Sequence, residues 1–236
     1  MEKLTYSCFQ MFPKVSIIDP CSMKSIPLEL WNIAIMDMFS HALEQYLVAS
    51  TSKINNSLLE SLMKTIVEMS LKLSKTFPNE EVMEELIWCS SLADSLCLSR
   101  GNEESAYPIH TIEHELTARY GISHGQGIAM LMPAWLEYVY KVSKSERIIS
   151  LGTTVFGVSN FDSNLCATVT IEKMREYIRA LNLKSCLDSL NLSESDVEEI
   201  AQKSIDSRRN FSMESLVSEV SLEQLQVIWT SEFLGF

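Results

Sequence analysis

Residues 28–49 read LELWNIAIMDMFSHALEQYLVA and predict a long helix. Leu28, Trp31 and Met38 are among the apolar residues that recur there at three- and four-residue spacing, the period of an α-helix with a buried face. Pro27 precedes them and suits a first helical turn, where a missing backbone N–H has no cost. This stretch therefore predicts that the chain is built from packed helices.

Helical periodicity also dominates the rest of the sequence. Ser193-x-x-Asp196 and Ser221-x-x-Gln224 resemble the capping boxes that begin helices. The other predicted helices cover residues 56–76, 80–99, 125–142 and 164–181, with a short helix from near Pro108 to a break at Gly121. We predict an all-α fold, a helical bundle-like domain.

One short segment is the clear candidate for a strand. Residues 14–18, KVSII, are rich in β-branched side chains and lie between Pro13 and Pro20. A single strand cannot form a sheet, and no second strand is predicted. The expectation is therefore a short orphan strand at the N-terminal end of a helical chain.

The composition excludes several classes of partner. The chain has 236 residues, 46% of them hydrophobic, which is enough for the core of one compact domain. Its 31 acidic and 19 basic residues give a net charge of −12, which repels nucleic acid and anionic membrane surfaces. The first residues do not resemble a signal peptide, and no apolar run approaches the roughly 20 residues of a membrane span. We expect a cytoplasmic protein.

The four histidines fall in two short patterns, Asp37-x3-His41 and His110-x3-His114 followed by His124. Two residues four apart on a helix project from one face, and imidazole and carboxylate are usual ligands of divalent zinc and iron. Each pattern alone also fits an ordinary surface pair or hydrogen-bonded histidines. Taken together, the patterns predict a metal site.

A rival interpretation uses only the second pattern. His110-Thr-Ile-Glu-His114 matches H-x-x-E-H, the motif in which two histidines hold zinc and the glutamate activates water. In that case Glu113 would be the general base. The motif leaves Asp37 and the other two histidines unused, but an H-x-x-E-H zinc hydrolase remains an alternative.

Glycine usage argues against a phosphate-binding loop early in the chain. The sequence has seven glycines, and the first is Gly101. The first hundred residues therefore cannot form a glycine-rich loop, and Gly125-Gln-Gly127 lacks the third glycine of the usual motif. No residue is assigned to binding a dinucleotide cofactor.

The joined histidine patterns resemble the iron-containing alcohol dehydrogenase family, particularly its butanol-dehydrogenase-like branch. Residues 37–46, DMFSHALEQY, look like the first ligand helix of the family. Residues 110–118, HTIEHELTA, and 124–133, HGQGIAMLMP, look like its second and third ligand segments. Residues 13–20, PKVSIIDP, resemble the lead into its helical half, so the resemblance extends from residue 13 to about residue 140.

The resemblance implies roles for the histidines and for one aspartate. Asp37, His41, His110 and His124 would coordinate one divalent metal, Fe²⁺ or Zn²⁺. His114 would lie in the pocket beside substrate and nicotinamide, as the catalytic residue that relays a proton to solvent. The glutamate between the two histidines of the second pattern is then expected to be a supporting residue rather than a base.

The resemblance also implies a reaction and a missing partner. The family's activity would be hydride transfer between NAD(P) and a primary alcohol or aldehyde. Full-length members carry an α/β dinucleotide-binding domain ahead of this region, so residues 1–20 would be a leading segment and strand left from that domain, and residues 21–236 the helical metal-binding domain. A separate nucleotide-binding chain or a homo-oligomer could complete the site. The alternative is a non-catalytic truncated remnant that keeps the metal site.

Overall fold

Helices make up most of the described chain. The computed structural model describes residues 13–47, 52–95, 98, 107–143, 145–159 and 162–210. The helices are α1 (Leu28–Leu47), α2 (Lys53–Thr76), α3 (Glu80–Ala93), α4 (Pro108–Tyr120), α5 (His124–Ser143), α6 (Glu146–Thr154), α7 (Ser163–Ala180) and α8 (Glu194–Asn210). Short 3-10 turns cover Pro20–Ser25 and Asp188–Leu190. The predicted all-α fold is confirmed.

Most helix boundaries agree with the periodicity of the sequence, and α3 is the exception. It was expected to reach residue 99, but its backbone leaves the helical conformation at Asp94 (φ −102°, ψ 15°). The capping box at Ser193 is formed, since Ser193 Oγ accepts from the Asp196 N–H at 3.2 Å and Asp196 Oδ2 accepts from the Ser193 N–H at 2.9 Å. The similar pattern at Ser221 lies outside the described residues.

The strand predicted for residues 14–18 is wrong. This segment has no regular secondary structure, and Val15 and Ile17 are 78% and 90% exposed. A strand is held by hydrogen bonds to a neighbouring strand, and no strand is formed anywhere in the described part of the chain. The β-branched residues favour extended backbone locally, but without a neighbouring strand to accept their hydrogen bonds they do not form a strand.

The core is arranged around α1, which packs against α2, α3 and α5. Phe39, near the middle of α1, is completely buried, and its ring lies 5.6 Å from that of Tyr177 and 6.5 Å from that of Phe156, centroid to centroid. Complete burial of a side chain of this size stabilises the fold by about 1.5–3 kcal/mol. Because α1 is fixed on several sides, the polar residues it carries are held rigidly.

The turn between α4 and α5 brings the start of α5 beside α4. Gly121 ends α4 in the left-handed conformation (φ +66°), and its N–H donates to Thr117 O at 2.9 Å. Glycine adopts this conformation without the steric cost that a side chain would add. The chain can therefore reverse direction and begin α5 at His124, three residues later.

Ion pairs join the outer faces of several helices. Arg119 of α4 lies 2.6 Å from Glu199 of α8, and Arg175 of α7 lies 2.6 Å from Glu137 of α5. Exposed pairs of this kind contribute at most about 1 kcal/mol each. No helix within the described residues has the length and apolar character needed to cross a membrane.

Removing the cap of α7 should lower stability modestly. Asp162 accepts a hydrogen bond from the Leu165 N–H at 2.7 Å, which satisfies a backbone donor that the helix leaves unpaired. We expect Asp162→Ala to lower the free energy of unfolding by about 1 kcal/mol in urea denaturation. Asp162→Asn keeps an acceptor at this position and should stay near the wild-type value; equal losses in both variants would contradict the capping role.

Candidate metal centre

The structure brings together Asp37, His110 and His124 as one group of possible metal ligands, and it places His41 beside Asp37 but outside that group. Asp37 and His41 lie one turn apart on the same face of α1. His110 lies in the first turn of α4, and His124 is the first residue of α5. The site is therefore assembled from three helices. His110 lies at the start of α4 and His124 at the start of α5, and the turn at Gly121 joins these two helices.

The ligand atoms of Asp37, His110 and His124 lie within 4.8 Å of one another, the spacing of a single coordination sphere. Asp37 Oδ1 lies 3.4 Å from Nε2 of His110, 3.4 Å from Nε2 of His124 and 3.7 Å from Nε2 of His41. Ligand atoms bound tetrahedrally at the usual zinc distances are about 3.4 Å from one another. The arrangement thus has the dimensions of one small cation between the carboxylate and the imidazoles.

Two of these atoms are buried without a hydrogen bond. Asp37 Oδ1 and His110 Nε2 are both inaccessible to solvent, and neither has a hydrogen-bond partner. A buried polar atom without a partner costs about 1–3 kcal/mol, so such atoms are rare unless they bind something. Because the two atoms face each other, this donor set fits a metal ion that both would bind.

A buried glutamate holds the ring of His110 from behind. Glu44 lies on α1, and its Oε2 accepts a short hydrogen bond from His110 Nδ1. Its other oxygen, Oε1, accepts from the Ile109 N–H at 2.7 Å. The side chain of Glu44 is 0% exposed. The second ring nitrogen, Nε2, therefore faces Asp37.

A second buried glutamate holds His124 in the same way. Glu113 Oε2 accepts a short hydrogen bond from His124 Nδ1, and Oε1 accepts one from the Thr117 hydroxyl. The side chain of Glu113 is also 0% exposed. Both oxygens are occupied and shielded from solvent, so the carboxylate is not placed to activate a water molecule. This geometry argues against the H-x-x-E-H zinc hydrolase, in which Glu113 would be the base between His110 and His114.

The surroundings of His41 differ from those of the other two histidines. Its Nδ1 lies 3.7 Å from Asp94 Oδ1, beyond hydrogen-bond distance, and has no hydrogen-bond partner. Asp94 itself is 76% exposed at the end of α3. The ring of Tyr107 packs edge-on against His41 and His110, with 5.5 Å between centroids in each pair. Aromatic packing, rather than a buried carboxylate, restrains His41.

The carboxylates favour positive charge within the cluster formed by Asp37, His41, His110 and His124. Burial acts to lower the pKa of His110, but Glu44 and Asp37 outweigh it and raise this pKa to about 10. Burial acts to raise the pKa of Asp37, whereas its contact with His110 and the charges of His41 and His124 bring that pKa below its usual value. Burial and the neighbouring His110 lower the pKa of His41. A divalent cation would provide the positive charge that these carboxylates attract.

His114 lies beside the cluster on its more open side. Its ring centroid is 5.5 Å from that of His124, and one of its nitrogens lies within 4.8 Å of ligand atoms of Glu113 and His124. The side chains of Asp37 and His124 remain 35% and 29% exposed, in contrast to the two buried glutamates. The ring of His114 therefore lies next to the partly exposed side chain of His124.

Two glycines allow α5 to come close enough to complete the cluster. A Cβ atom at Gly125 would overlap the backbone carbonyl of Ile33 on α1. A Cβ atom at Gly127 would lie 2.8 Å from Cγ of Glu113, nearer than real Cβ contacts allow. The glycines after His124 thus serve close helix packing rather than phosphate binding.

Sequence reasoning did not identify all residues of the site. Glu44 was visible as an acidic residue three positions after His41 on a largely apolar helix, which is the one signal that could have indicated its role. Tyr107 and Asp94 lie in no periodic pattern shared with the ligands. Their proximity to His41 results from the packing of α3 and α4 against α1.

Comparisons with known proteins agree with this arrangement. Residues 33–226 match the sequence model described as Fe-containing alcohol dehydrogenase family, C-terminal. NADH-dependent butanol dehydrogenase A of Clostridium acetobutylicum is 29% identical over 206 residues, 86% of this chain and 53% of that enzyme. NADPH-dependent aldehyde reductase YqhD of Escherichia coli is 22% identical over 204 residues, 86% of this chain and 52% of that protein. The chain therefore spans about half the length of these curated relatives.

Solved structures show the same helical architecture. The crystal structure of NADH-dependent butanol dehydrogenase A from Thermotoga maritima matches with a TM-score of 0.85 and 26% identity, covering 96% of this chain and 57% of that one. The substrate- and cofactor-free form of the aldehyde reductase YqhD from E. coli matches with a TM-score of 0.75 at 21% identity, over 91% of this chain and 56% of that one. At this lower identity the match supports the fold alone.

Proposed function

The chain belongs to the iron-containing alcohol dehydrogenase family, and from this premise we propose that it is the metal-binding half of an enzyme that interconverts a primary alcohol and an aldehyde with NAD(P). The observation that carries the proposal is the convergence of Asp37, His110 and His124 on one point, where Asp37 Oδ1 and His110 Nε2 are buried without hydrogen bonds. Buried polar atoms in this arrangement are suited to a cation.

Asp37, His41, His110 and His124 would hold the cation. Three imidazoles and one carboxylate accept both Fe²⁺ and Zn²⁺, and an oxygen of the substrate would bind as an additional ligand. When bound, such an ion supplies a Lewis acid that lowers the pKa of an alcohol or polarises a carbonyl. The chain's own contribution is the rigid placement of the four ligands by α1, α4 and α5.

His114 would act on the proton of the substrate hydroxyl. It stands beside His124 on the exposed side of the cluster, where a small alcohol or aldehyde would enter. An imidazole at this position can take up a proton and release it to solvent. We therefore assign His114 as the catalytic residue and the other three histidines as ligands.

The nicotinamide cofactor would be bound mainly by a part of the enzyme other than this chain. The two relatives described above are called NADH-dependent and NADPH-dependent, and the chain covers 53% and 52% of their lengths. We propose that a nucleotide-binding half, on the same polypeptide or on another one, completes the active site. Residues 1–20 would be the leading segment toward that half, and residues 21–236 the helical domain.

A second candidate is a non-catalytic remnant that keeps the metal site. It would lack hydride transfer, which requires the nicotinamide and the substrate to be held together. In this case the chain would bind Fe²⁺ or Zn²⁺ but would not catalyse a reaction. The two candidates share the metal site and differ only in turnover.

The test measures the metal content of the purified chain, and its turnover when it is combined with a nucleotide-binding half. We expect about one Fe²⁺ or Zn²⁺ per chain by elemental analysis, and oxidation of NADH or NADPH with butanal that chelation by EDTA abolishes. His114→Ala should keep the metal and lose most of the turnover, by roughly 100-fold or more, as expected for the loss of an acid-base group.

The outcomes separate the candidates. A metal-loaded chain without turnover, even with an added nucleotide-binding half, would support the non-catalytic remnant. A chain that binds neither metal ion would contradict both candidates. Peptide cleavage that Glu113→Gln abolishes and His41→Ala leaves intact would instead support the hydrolase.

A further inference from the structure

Glu44 and Glu113 occupy equivalent positions behind two different ligands. Each is completely buried, each lies on a helix of the cluster, and each accepts a hydrogen bond from Nδ1 of a histidine, His110 and His124 respectively. They come from separate helices, α1 and α4, so the repetition is not a consequence of one local motif. We propose that Glu44 and Glu113 are positioning residues that fix the tautomer and the orientation of these two imidazoles for the cation. This inference rests on the proposed metal site.

The geometry determines which ring nitrogen is available. A carboxylate has no proton to donate, so each histidine must carry a hydrogen on Nδ1 to form its bond. A neutral imidazole has only one such hydrogen, and Nε2 is then left with a bare lone pair. In both rings Nε2 is the atom 3.4 Å from Asp37 Oδ1. When a metal ion displaces any proton from Nε2, the two glutamates would keep the hydrogens on Nδ1 and leave the Nε2 lone pairs directed at the shared point.

The second oxygen of each glutamate is also occupied. Glu44 Oε1 accepts from the Ile109 N–H, the residue directly before His110, and Glu113 Oε1 accepts from the Thr117 hydroxyl. Each carboxylate thus receives hydrogen bonds on both sides and has a single orientation. This second contact prevents the carboxylate from rotating away and holds the imidazole at a fixed angle.

Glutamine is the informative replacement because it has nearly the same shape but only one acceptor oxygen. At position 44 a glutamine must direct its NH₂ group either at the Ile109 N–H or at His110 Nδ1, and both are donors in the wild type. In the second case the amide donates to Nδ1, which moves the ring hydrogen to Nε2 and blocks the ligand position. Packing is preserved while the hydrogen-bond pattern is broken.

The complete burial of Glu44 and Glu113 also supports a role in positioning ligands of the cation. Taking a carboxylate out of water is unfavourable unless it is paired and hydrogen-bonded. A structural cap for α4 requires only a small polar side chain such as serine or asparagine. Glu44 instead reaches from α1 to both the backbone of α4 and the His110 ring, and Glu113 reaches to the first residue of α5. A bound dication would stabilise both buried negative charges through the imidazoles.

The experiment compares Zn²⁺ affinity with folding of the same variants. Zn²⁺ affinity is measured by competition with a chromophoric chelator, and stability by thermal unfolding in EDTA. We expect Glu44→Gln and Glu113→Gln each to weaken Zn²⁺ binding by about 10–100-fold while retaining a cooperative unfolding transition. In ¹⁵N spectra of the Zn²⁺-loaded wild type, His110 and His124 should both show a protonated Nδ1 and a metal-bound Nε2.

Two controls separate positioning from other causes. Glu60→Gln removes a carboxylate that is bound by the Tyr46 hydroxyl and is not part of the site, so a change in Zn²⁺ affinity of less than about threefold shows that loss of a carboxylate alone is a minor factor. Ser70→Ala removes a buried hydrogen bond to Tyr177, remote from the cluster, so it should lower stability and leave Zn²⁺ affinity unchanged.

Different results would overturn the positioning role of the two glutamates and the metal site itself. If both glutamine variants bind Zn²⁺ as tightly as the wild type, or if affinity falls only in proportion to stability as in Ser70→Ala, the positioning role is overturned while the metal site stands. The same holds if Nδ1 proves to be the metal-bound nitrogen. A wild-type chain that binds no Zn²⁺ or Fe²⁺ overturns the metal site itself.

Discussion

Replacing Asp37 with alanine is expected to abolish useful binding of Fe²⁺ and Zn²⁺. Asp37 Oδ1 lies within 3.7 Å of Nε2 of all three proposed ligand histidines, and it is the carboxylate oxygen among the four proposed ligand atoms. Loss of an outer hydrogen-bonding partner already lowers metal affinity by about 10–100-fold, so loss of this charged ligand should lower it further. We expect a decrease of more than about 100-fold.

The unfolding temperature is measured with and without metal, because a metal ion that binds only the folded chain stabilises it. At a metal concentration about 1,000 times the dissociation constant, the wild type should gain roughly 4 kcal/mol, seen as a higher unfolding temperature. Asp37→Ala should lose most of this gain. Asp188→Ala, which removes a carboxylate from an exposed 3-10 turn, is the control and should respond to metal as the wild type does. Retention of the full metal-induced shift in Asp37→Ala would contradict the proposed ligand set.

Replacing Gly125 with alanine is expected to have the largest effect on the fold. The added methyl would overlap the backbone carbonyl oxygen of Ile33, and neither helix backbone can move aside as a flexible side chain could. Overpacking usually costs about 1–3 kcal/mol, and we expect a value at or above the upper end because the overlap is with backbone. Since the domain's total stability is typically about 5–15 kcal/mol, this is a substantial fraction. Displacement of α5 would also move His124 away from Asp37.

Gly121→Ala is the matched control for this variant. Both glycines lie near the α4–α5 turn, but a Cβ at Gly121 would meet nothing within 4 Å, and its cost comes only from the left-handed backbone (φ +66°). That conformational cost is about 1–2 kcal/mol. In urea denaturation Gly125→Ala should therefore be clearly less stable than Gly121→Ala, and only Gly125→Ala should also lose Zn²⁺ affinity. Equal stability of the two variants would show that α5 can shift without penalty.

The confirmed and the wrong predictions have a common physical basis. Helices α1, α4 and α7 were predicted close to their observed positions because their hydrogen bonds are internal and their apolar period is visible in the local sequence. The strand at residues 14–18 was wrong because a strand depends on a partner that local sequence does not specify. The end of α3 at Asp94 was missed because helix ends depend on local competition among polar groups.

Resemblance and geometry contributed differently to the candidate site. The family assignment, including the butanol-dehydrogenase-like branch, was predicted from the spacing of the histidines and agrees with the matched relatives. The assignment of individual ligands and of His114 stays a prediction. The rival H-x-x-E-H interpretation matches the sequence of residues 110–114. The buried carboxylate of Glu113, whose two oxygens both accept hydrogen bonds, argues against it.

The sequence by itself determined the helical fold class, the family and the residue types that can hold a metal. These are properties of local periodicity and of short motifs, which persist in any arrangement of the helices. Only the tertiary structure decided that one oxygen of Asp37 faces three imidazoles, and that Glu44 and Glu113 hold two of those rings from behind. Such contacts join residues far apart in the chain, and they form because α1, α4 and α5 pack closely at glycines that leave the necessary space.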